Sequence, residues 1–394
     1  MARSHPLELL SSRLERRRDL GLARQLVCVG HATGPRVRVD GRECLLMASN
    51  DYLGLANHPR LAEAARQASL TCGTGAGASR LVSGTLESHQ ALEEHIAAFK
   101  GSQAALFFST GYMANLGVVS ALVGPGDLIV SDELNHASLI DACRLSRATV
   151  KVYPHGDVAG AARLLEQAPP QGLALIVSDG VFSMDGDLAP LPGLLDLARQ
   201  AGALLVIDDA HATGVWGARG RGSLEHFGLE PTPEVAMVGT FSKALGGLGG
   251  FVAGASPVID SLINLARPFL YTTAPPPAQA AVALAGLRLV DEEPWRRDKL
   301  RQLGQYLRQQ LGGLGLNLLS QEGAIIPILV GEADKSLAMG RALLRAGVLA
   351  PAIRPPTVPE GTSRIRLTVT AAHEMADMDQ AAQAIAAAAR EVGI

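Results

Sequence analysis

The chain has 394 residues, 47% of them hydrophobic, and a formal net charge of −3. That length and apolar content suggest two domains, or one large domain with an appendage. The near-neutral balance excludes the broad basic surface of a nucleic-acid or acidic-membrane binder, and no apolar run is long enough to span a bilayer.

In the N-terminal stretch Arg13, Arg16, Arg17 and Arg18 are interleaved with Glu8, Glu15 and Asp19, and no apolar signal core follows. Leu7, Leu10 and Leu14 fall at helical spacing, which predicts an amphipathic helix. The cysteines at 28, 44, 72 and 143 show no metal-type spacing and read as reduced thiols of a cytoplasmic protein. "GTGAGASR" (73–80) has glycines at tempting spacing but follows a helical stretch, so it is not a dinucleotide fingerprint.

From 104 to 250 one pattern recurs: a short apolar run, a polar loop, a helical stretch. The runs are "AALFF" (104–108), "DLIVSD" (127–132), "LALIVSD" (173–179), "ALLVIDD" (203–209) and "VAMVG" (235–239). They predict a mostly parallel sheet covered on both faces by helices. In such sheets ligands bind beyond the carboxyl ends of the strands. The loops there are "STGYMAN", "ELNHASLI", "GVFSMDG", "DDAHATG" and "TFSKALGG", and they should converge on one edge.

After the proline run in "YTTAPPPAQ" (271–279) a second region begins. A helical pattern, "AIIPILV" (324–330), a helix around Ser336–Ala346, "RIRLTVT" (364–370) and an alanine-rich helix predict a smaller C-terminal α/β domain. The expected division is 1–49 packing with the small domain, 50–280 as the large domain and 281–394 as the small one.

Lys243 is the only acid or base between Val235 and Ile259. A lysine at a strand end often snorkels to water; one that is desolvated loses its proton readily and becomes a nucleophile. Asp208 closes the most apolar strand, where it would serve as a helix cap or face the pyridine nitrogen of a pyridoxal cofactor. His211 and His136 each read alone as structural. Gly111 and Tyr112, at a strand-to-helix turn, offer backbone N–H groups for a phosphate. A lysine nucleophile, a strand-end acid, a histidine able to stack and a phosphate seat fit one cofactor, pyridoxal phosphate.

The blocks "SNDYLGLANHP" (49–59), "GAGASRLVSGTLESHQALE" (75–93), "DELNHASLIDA" (132–142), "DGVFSMDGDLAPL" (179–191), "DDAHATGVWGARGRG" (208–222) and "TFSKALGG" make the chain resemble the α-oxoamine synthases from about Leu14 to Met378. The resemblance implies fold type I of the pyridoxal-phosphate-dependent transferases: a three-layer α/β/α large domain plus the smaller one, in a homodimer. By this likeness Lys243 is the Schiff-base lysine, Asp208 the partner of the pyridine nitrogen and His136 the stacked histidine. His211 and Ser183 contact the ring oxygen, and Gly111, Tyr112 and Thr240 the phosphate. Thr273 reaches the phosphate of the neighbouring subunit. Arg24, Asn50, His136, Arg354 and Thr357 match substrate contacts, and Arg366 competes with Arg354 for the amino-acid carboxylate. The tail "AIRPPTVPEGTSRIRLTVTAAHE" (352–374) is most similar to members that join L-alanine to a pimeloyl thioester, carried by coenzyme A or an acyl carrier protein. The alternative is a sister synthase such as glycine C-acetyltransferase.

Overall fold

The computed structural model describes residues 5–24, 26–30 and 34–394. At its centre is a seven-stranded sheet. Its spatial order is Ala104–Phe108, Gly250–Gly254, Val235–Thr240, Leu204–Asp208, Ala174–Asp179, Leu128–Asp132 and Thr149–Tyr153. Gly250–Gly254 runs antiparallel to both neighbours, and the strands from Val235–Thr240 outward pair in parallel. The five apolar runs are therefore strands with ends within a residue of expectation.

Alternation along the strands explains the three layers. Leu106, Phe108, Ile129, Leu175, Val177 and Val206 pack on one face, with Val118 and Val119 of the helix Gly111–Leu122. Phe107, Val130, Ile176, Leu205 and Ile207 pack on the other, with Leu92 and Ile96 of the helix Glu87–Lys100. A strand covered on both faces carries no polar residue until it leaves the layer, so the polar groups collect at the strand ends.

Two strands go beyond the expected set. Thr149–Tyr153 is an edge strand with four exposed residues in five, and that exposure removes the apolar run that the covered opposite edge, Ala104–Phe108, keeps. Gly250–Gly254 is short and glycine-bounded.

The C-terminal part builds a three-stranded antiparallel sheet from Ile325–Gly331, Ser363–Thr368 and Ala352–Ile353. The helices Ala333–Arg345 and Met375–Val392 accompany it. The hairpin Arg36–Val39/Arg42–Leu46 turns at Asp40 (φ 49°) and Gly41 (φ 77°), the left-handed pair that two-residue hairpins favour. Its second strand pairs in parallel with Val348–Leu349, which joins the N-terminal region to this part. The helix Pro277–Glu292 still packs on the helices Pro59–Cys72 and Glu87–Lys100, whereas Trp295–Gly313 packs on Met375–Val392. The helix Pro6–Asp19 buries no residue, and Leu7, Leu10 and Leu14 are all exposed. Among the described residues no helix is long and apolar enough to cross a membrane.

Candidate active site

A cavity of about 240 Å³ lies at the carboxyl ends of the central strands, and Gly111, Tyr112, His136, Asp208, His211, Thr240 and Lys243 all line it. They come from four strand ends, those of Ala104–Phe108, Leu128–Asp132, Leu204–Asp208 and Val235–Thr240, because strands running the same way deliver their polar ends to one edge.

Lys243 sits three residues beyond Val235–Thr240, with its Nζ 2.9 Å from His211 Nε2. It lines the cavity and is largely buried. Burial therefore lowers its pKa to about 8, although Asp208 and Asp179 oppose the shift; Arg366 adds to it. His211 Nδ1 lies 2.6 Å from the hydroxyl of Tyr52. Burial first, then Lys243, Arg366 and His136, hold His211 well below the ordinary imidazole range, so the ring is neutral. It bridges Tyr52 and the lysine.

Asp208, the last residue of its strand, is buried. One carboxylate oxygen accepts from Asn115 Nδ2 at 2.5 Å and the other from the Ala210 N–H at 3.0 Å. Asn115 also donates to Ser138 Oγ at 2.8 Å, so two helices fix the direction of this carboxylate.

His136 has a structural part as well as a place in the cavity. It caps the helix Ala137–Ser146, its Nδ1 accepting from the Ser138 N–H at 3.3 Å, and it lines the cavity. Nδ1 also lies 2.7 Å from Ser138 Oγ, so this side of the ring is tied to the helix start. Burial lowers its pKa, Asp208 opposes this and Lys243 reinforces it.

The helix Gly111–Leu122 starts at Thr110, whose hydroxyl accepts from the Met113 N–H at 3.1 Å. The N–H groups of Gly111 and Tyr112 belong to the first turn and have no intrahelical acceptor. Gly250 packs against this turn so closely that a Cβ on it would lie 2.6 Å from the Gly111 nitrogen and Cα. Thr240 Oγ1 donates to the Gly249 carbonyl at 2.7 Å and accepts from the Ser242 N–H at 3.2 Å, closing the other side. The Tyr112 hydroxyl donates to Asp141.

The remaining expected residues separate into groups. Asn50 Oδ1 accepts from both terminal nitrogens of Arg366 at 3.2 and 3.3 Å, and Ser183 offers its carbonyl to Arg366 Nε. Arg354 instead donates to the Ala23 carbonyl at 3.0 Å, beside Arg24, which donates to Thr357 Oγ1 at 3.0 Å. Thr273 is exposed and outside the cavity.

Three neighbours were not singled out from the sequence: Tyr52, Asn115 and Asp179. Asp179 ends "LALIVSD", so the strand-end rule that picks Asp208 would have picked it too. Its Oδ1 accepts from the His136 N–H at 3.3 Å. Burial, and then Asp208, push its pKa well up. Asn115 falls four residues after Gly111, one helical turn deeper on the same face.

This fold and this cavity define a class. Residues 42–385 match the model of the aminotransferase class I and II family, and the chain belongs to that family. Among its relatives, the 8-amino-7-oxononanoate synthase of Geobacter sulfurreducens is 49% identical over 387 residues, covering 98% of this chain and 99% of the other. A solved structure described as SPT with PLP internal aldimine superposes with a TM-score of 0.93 at 31% identity, covering 99% and 100% of the two chains. The 8-amino-7-oxononanoate synthase structure from Francisella tularensis superposes at 0.77 with 27% identity, covering 89% and 99%.

Proposed function

We infer that this chain is a pyridoxal-phosphate-dependent acyltransferase that condenses L-alanine with a pimeloyl thioester, releasing CO2 and the thiol, to give 8-amino-7-oxononanoate for biotin biosynthesis. The observation that carries this reading is the single cavity that gathers Lys243, Asp208, His211 and His136 with the first turn of Gly111–Leu122. The near-full-length relatives named 8-amino-7-oxononanoate synthase supply the substrates.

The residues present fit the cofactor. Gly250 packs directly under the Gly111 turn, where no side chain would fit without displacing it. The free N–H groups of Gly111 and Tyr112, together with Thr240, suit a phosphate. Asp208 would hold a protonated pyridine nitrogen, His211 a ring oxygen and His136 a ring face, with Lys243 as the covalent anchor. Ser183, too, is proposed as a ring-oxygen contact, and Thr273 as a contact across a dimer. When bound, this cofactor supplies an electron sink for a carbanion next to the amino group.

The chain's own groups supply the rest. Lys243, with its pKa lowered to about 8, is poised to take and return the α-proton of L-alanine. Arg366, fixed by Asn50 and the Ser183 carbonyl, is the cation proposed to hold the alanine carboxylate; Arg354, the other candidate for that carboxylate, is proposed instead on the acyl donor's side, with Arg24 and Thr357. His136, in the tautomer with its ring proton on Nε2, is proposed to donate to the thioester carbonyl as charge develops there. The carboxylate lost as CO2 leaves from the carbon whose new bond was made to the pimeloyl group.

A homodimer is proposed as well, supported by the uncovered leucine face of Pro6–Asp19. A cytoplasmic location is supported by four free cysteines. The division into 1–49, 50–280 and 281–394 is supported by the pairing of Leu45–Leu46 with Val348–Leu349. The test is visible absorption of the purified protein with pyridoxal phosphate, titrated with L-alanine, glycine and L-serine, then turnover with pimeloyl-CoA. Productive response to alanine is expected. Productive response to glycine or serine alone would transfer the function to a sister synthase, and failure to bind the cofactor would overturn the reading.

A further inference from the structure

The side chain of His155 lies outside the cavity, just beyond the edge strand Thr149–Tyr153, yet it is among the most constrained histidines of the fold. Its Nδ1 is 3.1 Å from Asp132 Oδ1 and its Nε2 is 2.8 Å from Asp187 Oδ2. Its ring meets Phe182 edge-on, centroids 4.4 Å apart. Two ring nitrogens facing two carboxylates make it a double donor, an imidazolium. The hydrogen bonds to Asp132 and Asp187 raise its pKa to about 10 despite burial.

The two carboxylates belong to different active-site loops. Asp132 is buried and also accepts from the N–H groups of Leu134 and Gly156 at 2.9 and 3.0 Å, so it shapes the turn that presents His136. Glu133 in the same turn accepts from the His155 N–H at 2.9 Å. Asp187 closes the loop whose Ser183 and Met184 carbonyls accept from Arg366 and Arg364, and whose Asp185 pairs with Arg364 at 2.7 Å. Those arginines hold that loop from the small domain; His155 holds it from the large one. Between the two loops lies a cleft of about 480 Å³, with Leu134 and Asn135 on one wall, Met184 and Asp185 on the other, and Thr357 and Val358 over it.

We propose that His155 is a positioning residue for the condensation: its ring pins the His136 turn to the Ser183–Asp187 loop and so sets the width of the cleft that admits the acyl thioester. The proposal rests on the function inferred above. Without the imidazolium, Asp132 and Asp187 face each other with no shared counter-charge, and the two walls lose their common anchor. Alanine depends on that anchor only indirectly, because Asn50 also fixes the Arg366 proposed to hold it.

The test compares His155→Ala and His155→Gln with the wild-type holoenzyme. KM for pimeloyl-CoA is expected to rise about tenfold or more, as displaced positioning groups do. Any fall in kcat at saturation should be several times smaller than the rise in KM, because His136 keeps its own helix cap; the alanine affinity read from the cofactor's absorption should stay within about twofold, and added imidazole should lower KM again in His155→Ala. If His155→Ala does not fold, His155→Gln and Asp187→Asn carry the same comparison, each breaking one arm of the bridge. A fall in kcat with the thioester KM unchanged, or no change at all, overturns the proposal. Should the wild type prefer another thioester, the function reading fails separately and the same KM split is read on that thioester.

Discussion

Replacing Lys243 with methionine should stabilise the cofactor-free protein near neutral pH while abolishing its activity. The ordinary lysine titrates at 10.5, and in this fold burial lowers the value to about 8. That separation corresponds to ~3 kcal/mol of unfavourable folding free energy when the amine is protonated in both states. The unfolded chain binds more protons than the folded one between about 8 and 10.5, so the wild type gains stability as pH rises through that window. Below about pH 8 the whole penalty is present. Methionine keeps most of the stem and has no charge to desolvate, but it removes the contact with His211, a loss of about 1 kcal/mol. The variant should therefore be ~2 kcal/mol more stable near pH 7, and the gap should close almost completely by about pH 9.5. Urea denaturation of both cofactor-free proteins at the two pH values measures it, since groups common to both cancel in the difference. A variant no more stable than wild type near pH 7, or a gap that ignores pH, would refute the argument that burial sets this amine's proton affinity.

Three further outcomes follow from named contacts. Arg366→Leu should weaken L-alanine binding by about ten- to a hundredfold, the scale of hydrogen bonds to a charged group, whereas Arg354→Leu should leave it nearly unchanged; absorbance titration of the holoenzyme compares them. Gly250→Ala should cost cofactor affinity by ~1–3 kcal/mol, because its Cβ meets backbone atoms of Gly111 that cannot rotate away, and equilibrium titration with pyridoxal phosphate reads this. Lys100→Met should destabilise the fold by ~3–5 kcal/mol, since it strands the buried Asp209 carboxylate 2.7 Å away; the double variant Lys100→Met/Asp209→Leu should recover much of the loss in urea midpoints.

What the sequence made legible depended on how local the signal was. The five expected strands were readable because a strand buried on both faces must be apolar throughout, and its first polar residue marks the exit. Asp208 and Lys243 were readable for the same reason. Thr149–Tyr153 lacks that signature, because an edge strand with four exposed residues obeys a different pattern. The helix Pro6–Asp19 was legible as a helix, with its leucines on one face, but what covers that face was not: among the described residues nothing buries those leucines.

The harder part of the site was written in long-range pairs. Asn115 finds Asp208 across 93 positions, and Arg366 finds Ser183 across 183; no window of sequence contains either contact. Even so, one local sign was present for the arginine. In Ser363–Thr368 the residues alternate, with Arg364 and Arg366 on one face and Ile365 and Leu367 on the other, and all six residues are buried. A guanidinium inside a buried strand must be matched by acceptors, so two of them at i and i+2 announce that a polar wall faces that side of the strand. Here the wall is the loop of Ser183, Met184 and Asp185, together with Asn50. Arg354 carried no such constraint: it follows the two-residue strand Ala352–Ile353, is only partly buried, and donates to the Ala23 carbonyl. The choice between the two arginines therefore turns on burial, because the cation that the fold has already desolvated and aimed is the one ready to meet a carboxylate.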